Sequence, residues 1–281
     1  MRIALEYGLL NAGVDGQIAY YKSLGVSHVV LGSWGIPGYD EVGCLTPELL
    51  GPIQKPLAAA GIAIGGFWFG GNSIARMMDP EKGEDILARF FRSFETMKAA
   101  DIGLAPVMNC VPVPDEGQRD ALWARMVGVY GRLVDKADAA GVTIASHTHW
   151  TPNHLVWNAA TLLKLMDDVP SPRNKALFCA GSEWSAGDSM RDSVEKLSHR
   201  IAMVHFRDSR ERGPRCEEMP LGSGGTEFRD AVAALDRIGY DGLIRPEHVG
   251  TLAGERDRTA SMALAVGFIR GIFHTLNLRE G

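Results

Sequence analysis

A chain of 281 residues with 46% hydrophobic and 22% charged side chains carries enough apolar matter for a large core and too little charge for a disordered polymer. Its formal net charge of −5, without any long Lys/Arg run, excludes the concentrated positive field that a nucleic acid or an anionic membrane surface requires, so the expected partner is a small molecule. No stretch reaches membrane-spanning length, and the opening Met1-Arg2-Ile3-Ala4-Leu5-Glu6 reads as a strand rather than a signal peptide, so a cytoplasmic location is expected.

Along the chain, apolar runs suited to strands buried on both faces fall at 3–7, 28–31, 62–67, 104–109, 143–147, 176–180, 202–206 and 243–247. Between them lie amphipathic helical stretches, among them 84–99, 120–139, 159–166, 227–238 and 258–276, with apolar residues at three-to-four spacing. Eight alternating units of this kind predict an α/β protein, a single (β/α)₈ TIM barrel spanning 1–281 as one domain. Gly61, Gly141 and Gly239, each just before a strand, suit the left-handed residue that closes a helix. An open dinucleotide-binding sheet is disfavoured because Gly8-Leu9-Leu10-Asn11-Ala12-Gly13, after the first strand, lacks the glycine fingerprint. The run Leu221-Gly222-Ser223-Gly224-Gly225-Thr226 suits a phosphate cradle or, more simply, a turn capped by Thr226. Cys44, Cys110, Cys179 and Cys216 show no CxxC spacing and predict neither disulfides nor a zinc ribbon, which leaves Cys44 and Cys216 as inert thiols.

In a barrel of this type the functional groups stand where strands end. Strand five ends in Ser146-His147-Thr148-His149, strand six in Phe178-Cys179-Ala180-Gly181, strand seven in His205-Phe206-Arg207-Asp208 and strand eight in Arg245-Pro246-Glu247-His248. A lone buried His or Cys is usually a packing residue. Four metal-competent groups at successive strand ends argue otherwise, and His147, Cys179, His205 and Glu247 are the expected ligands of one divalent metal.

Side chains two apart on a strand share a face, which places His149, Arg207 and Arg245 where they would touch a substrate. The two arginines suit a carboxylate or phosphate, or else pair with acids such as Asp208 or Glu183. His248 faces away in a regular strand, but a bend would return it as an acid or base, a role also open to His149. His28, His199 and His274 read as structural. Trp34, Trp68, Trp150 and Trp184 follow strand ends and suit an apolar wall over a ligand or ordinary loop packing.

With these residues in view, the segments 141–149, 204–208 and 221–242 resemble the xylose-isomerase-like barrels, a superfamily of sugar isomerases and epimerases. The nearer resemblance is to the mannonate dehydratase family, whose ligands are His, Cys, His and Asp and whose last strand carries Arg-Pro-Asp-His, here Arg245-Pro246-Glu247-His248. Phe178-Cys179-Ala180-Gly181-Ser182 matches that family's cysteine strand, and Val107-Met108-Asn109-Cys110-Val111-Pro112-Val113 resembles its fourth-strand region, which makes Asn109 a substrate-side candidate. The family's His-Pro-Asp-Asp-Pro-Pro run is His147-Thr148-His149-Trp150-Thr151-Pro152 here, Glu247 replaces the aspartate, and no tyrosine follows shortly after His248.

The resemblance implies a metal-dependent dehydratase of a sugar acid or related polyhydroxylated compound. An isomerase or epimerase sharing the same first proton abstraction, and a non-catalytic sugar-binding barrel, are the alternatives. The resemblance points to Mn²⁺, whereas a thiolate ligand suits Zn²⁺, Co²⁺ or Fe²⁺ better. A homo-oligomer is a common arrangement for such enzymes.

Overall fold

In the computed structural model, residues 1–10, 12–71, 73–213, 217–252, 254 and 258–281 are described; Cys216 lies outside them. Eight parallel strands form the barrel wall: β1 (Arg2–Tyr7), β2 (His28–Gly32), β3 (Ala63–Trp68), β4 (Leu104–Met108), β5 (Thr143–His147), β6 (Asn174–Cys179), β7 (Ile201–Phe206) and β10 (Leu243–Pro246). Between the last two, β8 (Asp208–Ser209) and β9 (Glu218–Met219) form a small antiparallel hairpin. The ladders run in the order β3-β2-β1-β10-β7-β6-β5-β4, and β3 lies against β4 to bring the ring close to closure.

The helices are α1 (Val14–Ser23), α2 (Tyr39–Val42), α3 (Pro47–Ala59), α4 (Ser73–Met77), α5 (Gly83–Ala99), α6 (Arg119–Ala139), α7 (Ala159–Asp168), α8 (Ala180–Ala186), α9 (Met190–Leu197), α10 (Phe228–Arg237) and α11 (Thr259–Thr275). The expected TIM barrel is therefore the observed fold, with each predicted strand displaced by no more than two residues at either end.

Two apolar layers hold it together. Strand residues such as Leu5, Leu31, Ile144, Phe178 and Phe206 pack outward against helix residues such as Leu57, Phe94, Leu133, Leu162, Leu235 and Ile269. A smaller set inside the ring, including Ala4, Val30, Ala145, Leu177 and Met203, fills the barrel and supports the site above it. The closing glycines adopt left-handed conformations as the sequence predicts, with φ of 75° at Gly61 and Gly141 and 71° at Gly239. No helix among the described residues is long and apolar enough to cross a membrane.

Candidate metal centre and catalytic cleft

Register brings the strand-end groups to one level. Cys179 pairs across the ladder with His205, His205 with Arg245, and Met108 with His147. Glu247 stands one residue beyond β10, its N–H donating to the Phe206 carbonyl at 2.8 Å. All four expected ligands are buried.

His147, Cys179 and Glu247 each offer a donor atom within 4.8 Å of the other two. His147 Nε2 lies 3.3 Å from Glu247 Oε2, and Cys179 Sγ lies 3.6 Å from the same oxygen. His147 Nδ1 faces the Thr148 carbonyl at 2.6 Å, which places the ring proton there and leaves Nε2 bare toward the cluster in the neutral ring. Imidazole, thiolate and carboxylate on three strands form a donor set fit for a divalent cation.

His205 stands beside this cluster rather than within it. Arg245 Nε donates to His205 Nε2 at 3.0 Å, so the neutral ring carries its proton on Nδ1, which lies 3.0 Å from Glu247 Oε1 but makes no hydrogen bond of good geometry. As a metal ligand, His205 would exchange one of these contacts for the ion.

Burial opposes charge on both imidazoles, and their neighbours decide the outcome. At His147 the adjacent Glu247 and Cys179 prevail and push the ring up to about 10, whereas at His205 burial and Arg245 win and hold it down to about 3. Burial would raise the Glu247 carboxyl, yet the two histidines hold it well below its ordinary range.

Above the cluster opens a cleft of about 700 Å³, within the roughly 300–1,000 Å³ typical of small-molecule sites. Its lining includes Trp34, Trp68 and Trp150. The expected wall is thus made by three of the four tryptophans; Trp184 instead packs under the 221–226 loop, where a Cβ at Gly225 would lie 2.4 Å from its ring. Trp68 stacks on His205 at 5.5 Å and meets His147 edge-on at 5.9 Å.

Both arginines line the cleft, and neither pairs with Asp208 or Glu183. Arg245 Nη1 reaches Glu6 Oε2 at 2.5 Å, while Arg207 lies 4.4 Å over the Trp150 ring with Nη2 3.2 Å from Glu218. Asp208 accepts backbone N–H groups from Ser209, Gly222, Gly224 and Thr226 at 2.8–3.1 Å, so the glycine loop's donors are already engaged. Thr226 does not cap α10; its hydroxyl donates to the Arg207 carbonyl instead.

His149 lies between Trp150 at 4.0 Å and His154 at 3.6 Å, and burial together with its cationic neighbours lowers it to about 4. His248 adopts φ +47°, the bend that turns it toward the cleft, and stays half exposed with Nδ1 2.8 Å from Glu218 Oε1. Asn109 is fully buried, and its side chain is not among the lining groups; Met108 and Cys110, its neighbours on the alternating pleat, are.

Glu6, His154, Glu218 and Arg258 also line the cleft without having been singled out from the sequence. Glu6 sits at the end of β1 and was open to the same strand-end reading. Glu218 lies in a two-residue strand, too short to show a period.

The fold and its cleft define a barrel with a rim-borne candidate metal site. Residues 53–270 match the family model described as Xylose isomerase-like TIM barrel, and the chain belongs to that family. A mannonate dehydratase of Enterococcus faecalis (strain ATCC 700802 / V583) is 29% identical over a stretch covering 44% of this chain and 37% of that protein, so the chain spans well under two thirds of that relative's length. The solved mannonate dehydratase of Streptococcus suis serotype 2 superposes with a TM-score of 0.78 at 15% identity, covering 100% of this chain and 97% of that one. A D-psicose 3-epimerase of Clostridium cellulolyticum H10, solved with D-tagatose, also gives 0.78, at 14% identity and with 97% and 99% coverage. At these identities the two structures speak for the fold alone.

Proposed function

We propose that the chain is a metal-dependent dehydratase that removes water from a sugar acid or related polyhydroxylated compound. The observation that carries this reading is the His147/Cys179/Glu247 cluster at the floor of a cleft that also presents Arg207, Arg245 and His248. A thiolate in the donor set accords with the cysteine-bearing strand of the mannonate dehydratases that the sequence resembles.

His147, Cys179 and Glu247, with His205 as the fourth ligand, would hold the cation, Mn²⁺ by resemblance and Zn²⁺, Co²⁺ or Fe²⁺ by ligand softness. Bound there, it supplies Lewis acidity to substrate oxygens and so eases loss of a neighbouring C–H proton. Arg207, over the Trp150 ring, would take an anionic end of the substrate, while Arg245 holds His205 and Glu247 in position. Trp68 offers an apolar face to the substrate carbon chain.

His248 Nε2 moves the proton. A C–H bond breaks with its proton passing to His248 Nε2, its electron pair forms a C=C bond as the C–O bond to the hydroxyl on the next carbon breaks, and the protonated His248 gives the proton to the departing hydroxide as water. His149, held neutral, serves as the second proton-handling group.

A pair of imidazoles on the cleft is also what an epimerase needs, and this is the second reading. Proton NMR in D₂O with a panel of sugar acids and ketoses separates the two. Loss of water is the expected result; epimer or aldose–ketose exchange without water loss would replace it with the second reading. Elemental analysis of wild type beside Cys179→Ala is expected to show about one equivalent of metal lost in the variant. A protein that takes up no ion under any loading would overturn the metal site and the dehydratase together, leaving a sugar-binding barrel.

A further inference from the structure

Among the acids lining the cleft, Glu247 belongs to the ligand cluster and Glu6 serves Arg245 and Trp34. Glu218 serves neither. A single oxygen of its carboxylate, Oε1, lies 2.8 Å from His248 Nδ1 and 3.2 Å from Arg207 Nη2. It thus touches the group assigned to proton transfer and the group assigned to the substrate's anionic end.

The backbone around this contact is fixed from both sides. Asp208, at the foot of the hairpin, is held by four backbone N–H groups. The far strand of the hairpin is clasped to the chain after His248: Gly250 N–H donates to the Met219 carbonyl at 3.3 Å. A Cβ at Gly250 would lie 2.8–2.9 Å from the Met219 carbonyl carbon, the Glu218 carbonyl oxygen and Pro220 N, so only glycine allows that approach. His248 meanwhile holds a left-handed φ of +47°, a conformation unfavourable for a non-glycine residue that persists only when surrounding contacts impose it.

The consequence for the imidazole is specific. A ring that donates Nδ1–H to a carboxylate has its lone pair on Nε2, and His248 Nε2 is the nitrogen 4.0 Å from Glu247 Oε1. We propose that Glu218 is the positioning residue of this site, fixing His248 in the tautomer with Nε2 bare toward the cleft while holding Arg207 over Trp150. This rests on the reading of His248 as the proton-moving group.

The test uses ¹⁵N-histidine-labelled protein as purified, with the His248 ring signals assigned by their absence in His248→Asn. In wild type the neutral ring is expected to carry its proton on Nδ1; Glu218→Ala shifts it toward Nε2, and Glu218→Gln, which keeps an acceptor, preserves the wild-type pattern. In turnover, Glu218→Ala is expected to lose roughly 10- to 100-fold in kcat with unchanged metal content, and to raise KM as Arg207 is released. Glu218→Gln recovers most of kcat.

An unchanged His248 tautomer in Glu218→Ala overturns the proposal whatever the turnover, and so does a shifted tautomer with wild-type kcat when His248→Asn is inactive. If His248→Asn itself retains wild-type turnover, the failure lies with the role of His248 in the proposed function, while the tautomer measurement still decides what Glu218 does to the ring.

Discussion

His248 is half exposed and carries no part of the core, so its removal should cost chemistry and not stability. His248→Ala is expected to lower kcat by roughly 10²–10⁴-fold, as loss of a general acid or base does, with the unfolding midpoint unchanged; a comparable loss in the midpoint would mark a structural histidine. The sequence made this residue visible through its place after a strand, as it did His147, Cys179, His205 and Glu247. What it did not reveal was which of them face one another: Arg245 donating to His205 Nε2 leaves His205 beside the three-donor cluster, and that follows from side-chain contacts across strands 40 residues apart. Glu218 and His154 were hidden for a similar reason, since each reaches the cleft from a connection with no periodic pattern.

At the scale of elements, α8 and its neighbours hold a carboxylate that the chemistry does not use. Glu183 is buried beneath the rim, accepting the Ala159 N–H at the start of α7 and the Ser193 hydroxyl of α9, each through Oε2. Burial is the main cause that raises its carboxyl from 4.5 to about 7, against the two hydrogen bonds.

A carboxyl raised by folding favours the fold while protonated. That contribution is complete below the unfolded value near 4.5 and is lost as pH rises through about 7. The displacement is on the order of 3 kcal/mol, so Glu183→Gln should be more stable than wild type at about pH 8 and nearly equal to it at about pH 4. Denaturant titrations at both pH values check this; a variant less stable at the higher pH would show that the ionised form is the favoured one.

Gly250→Ala tests the hairpin clasp. The added Cβ has no room against Met219 and Pro220, and a loss of about 1–3 kcal/mol with reduced kcat is expected in melting and turnover assays. The strands and the helices α5, α6, α7, α10 and α11 were legible because apolar runs and closing glycines mark them. The α3 helix was not, because Pro47, Pro52 and Pro56 obscure it even though Pro47 sits at its first turn and Thr46 caps it. The β8–β9 hairpin was too short to leave any pattern.

For the whole molecule, the three clustered donors come from β5, β6 and the chain just after β10, so an ion bound there ties together stretches of chain that meet only in the folded barrel. Binding confined to the folded state adds about 2.7 kcal/mol at a hundredfold excess over Kd. A rise of roughly 5 °C or more in the melting temperature is expected with the matching divalent ion, and none in Cys179→Ala; calorimetry with and without chelator measures it.

The Asp208 carboxylate also decides what its own loop can lodge. Backbone amides converging from a glycine-rich loop are the usual lodging for a phosphoryl group, yet here an internal anion has taken the room. A phosphorylated sugar arriving at that loop would meet a negative charge where it needs donors. The loop is therefore closed to phosphate esters, its donors already spent on a charge that the chain supplies itself.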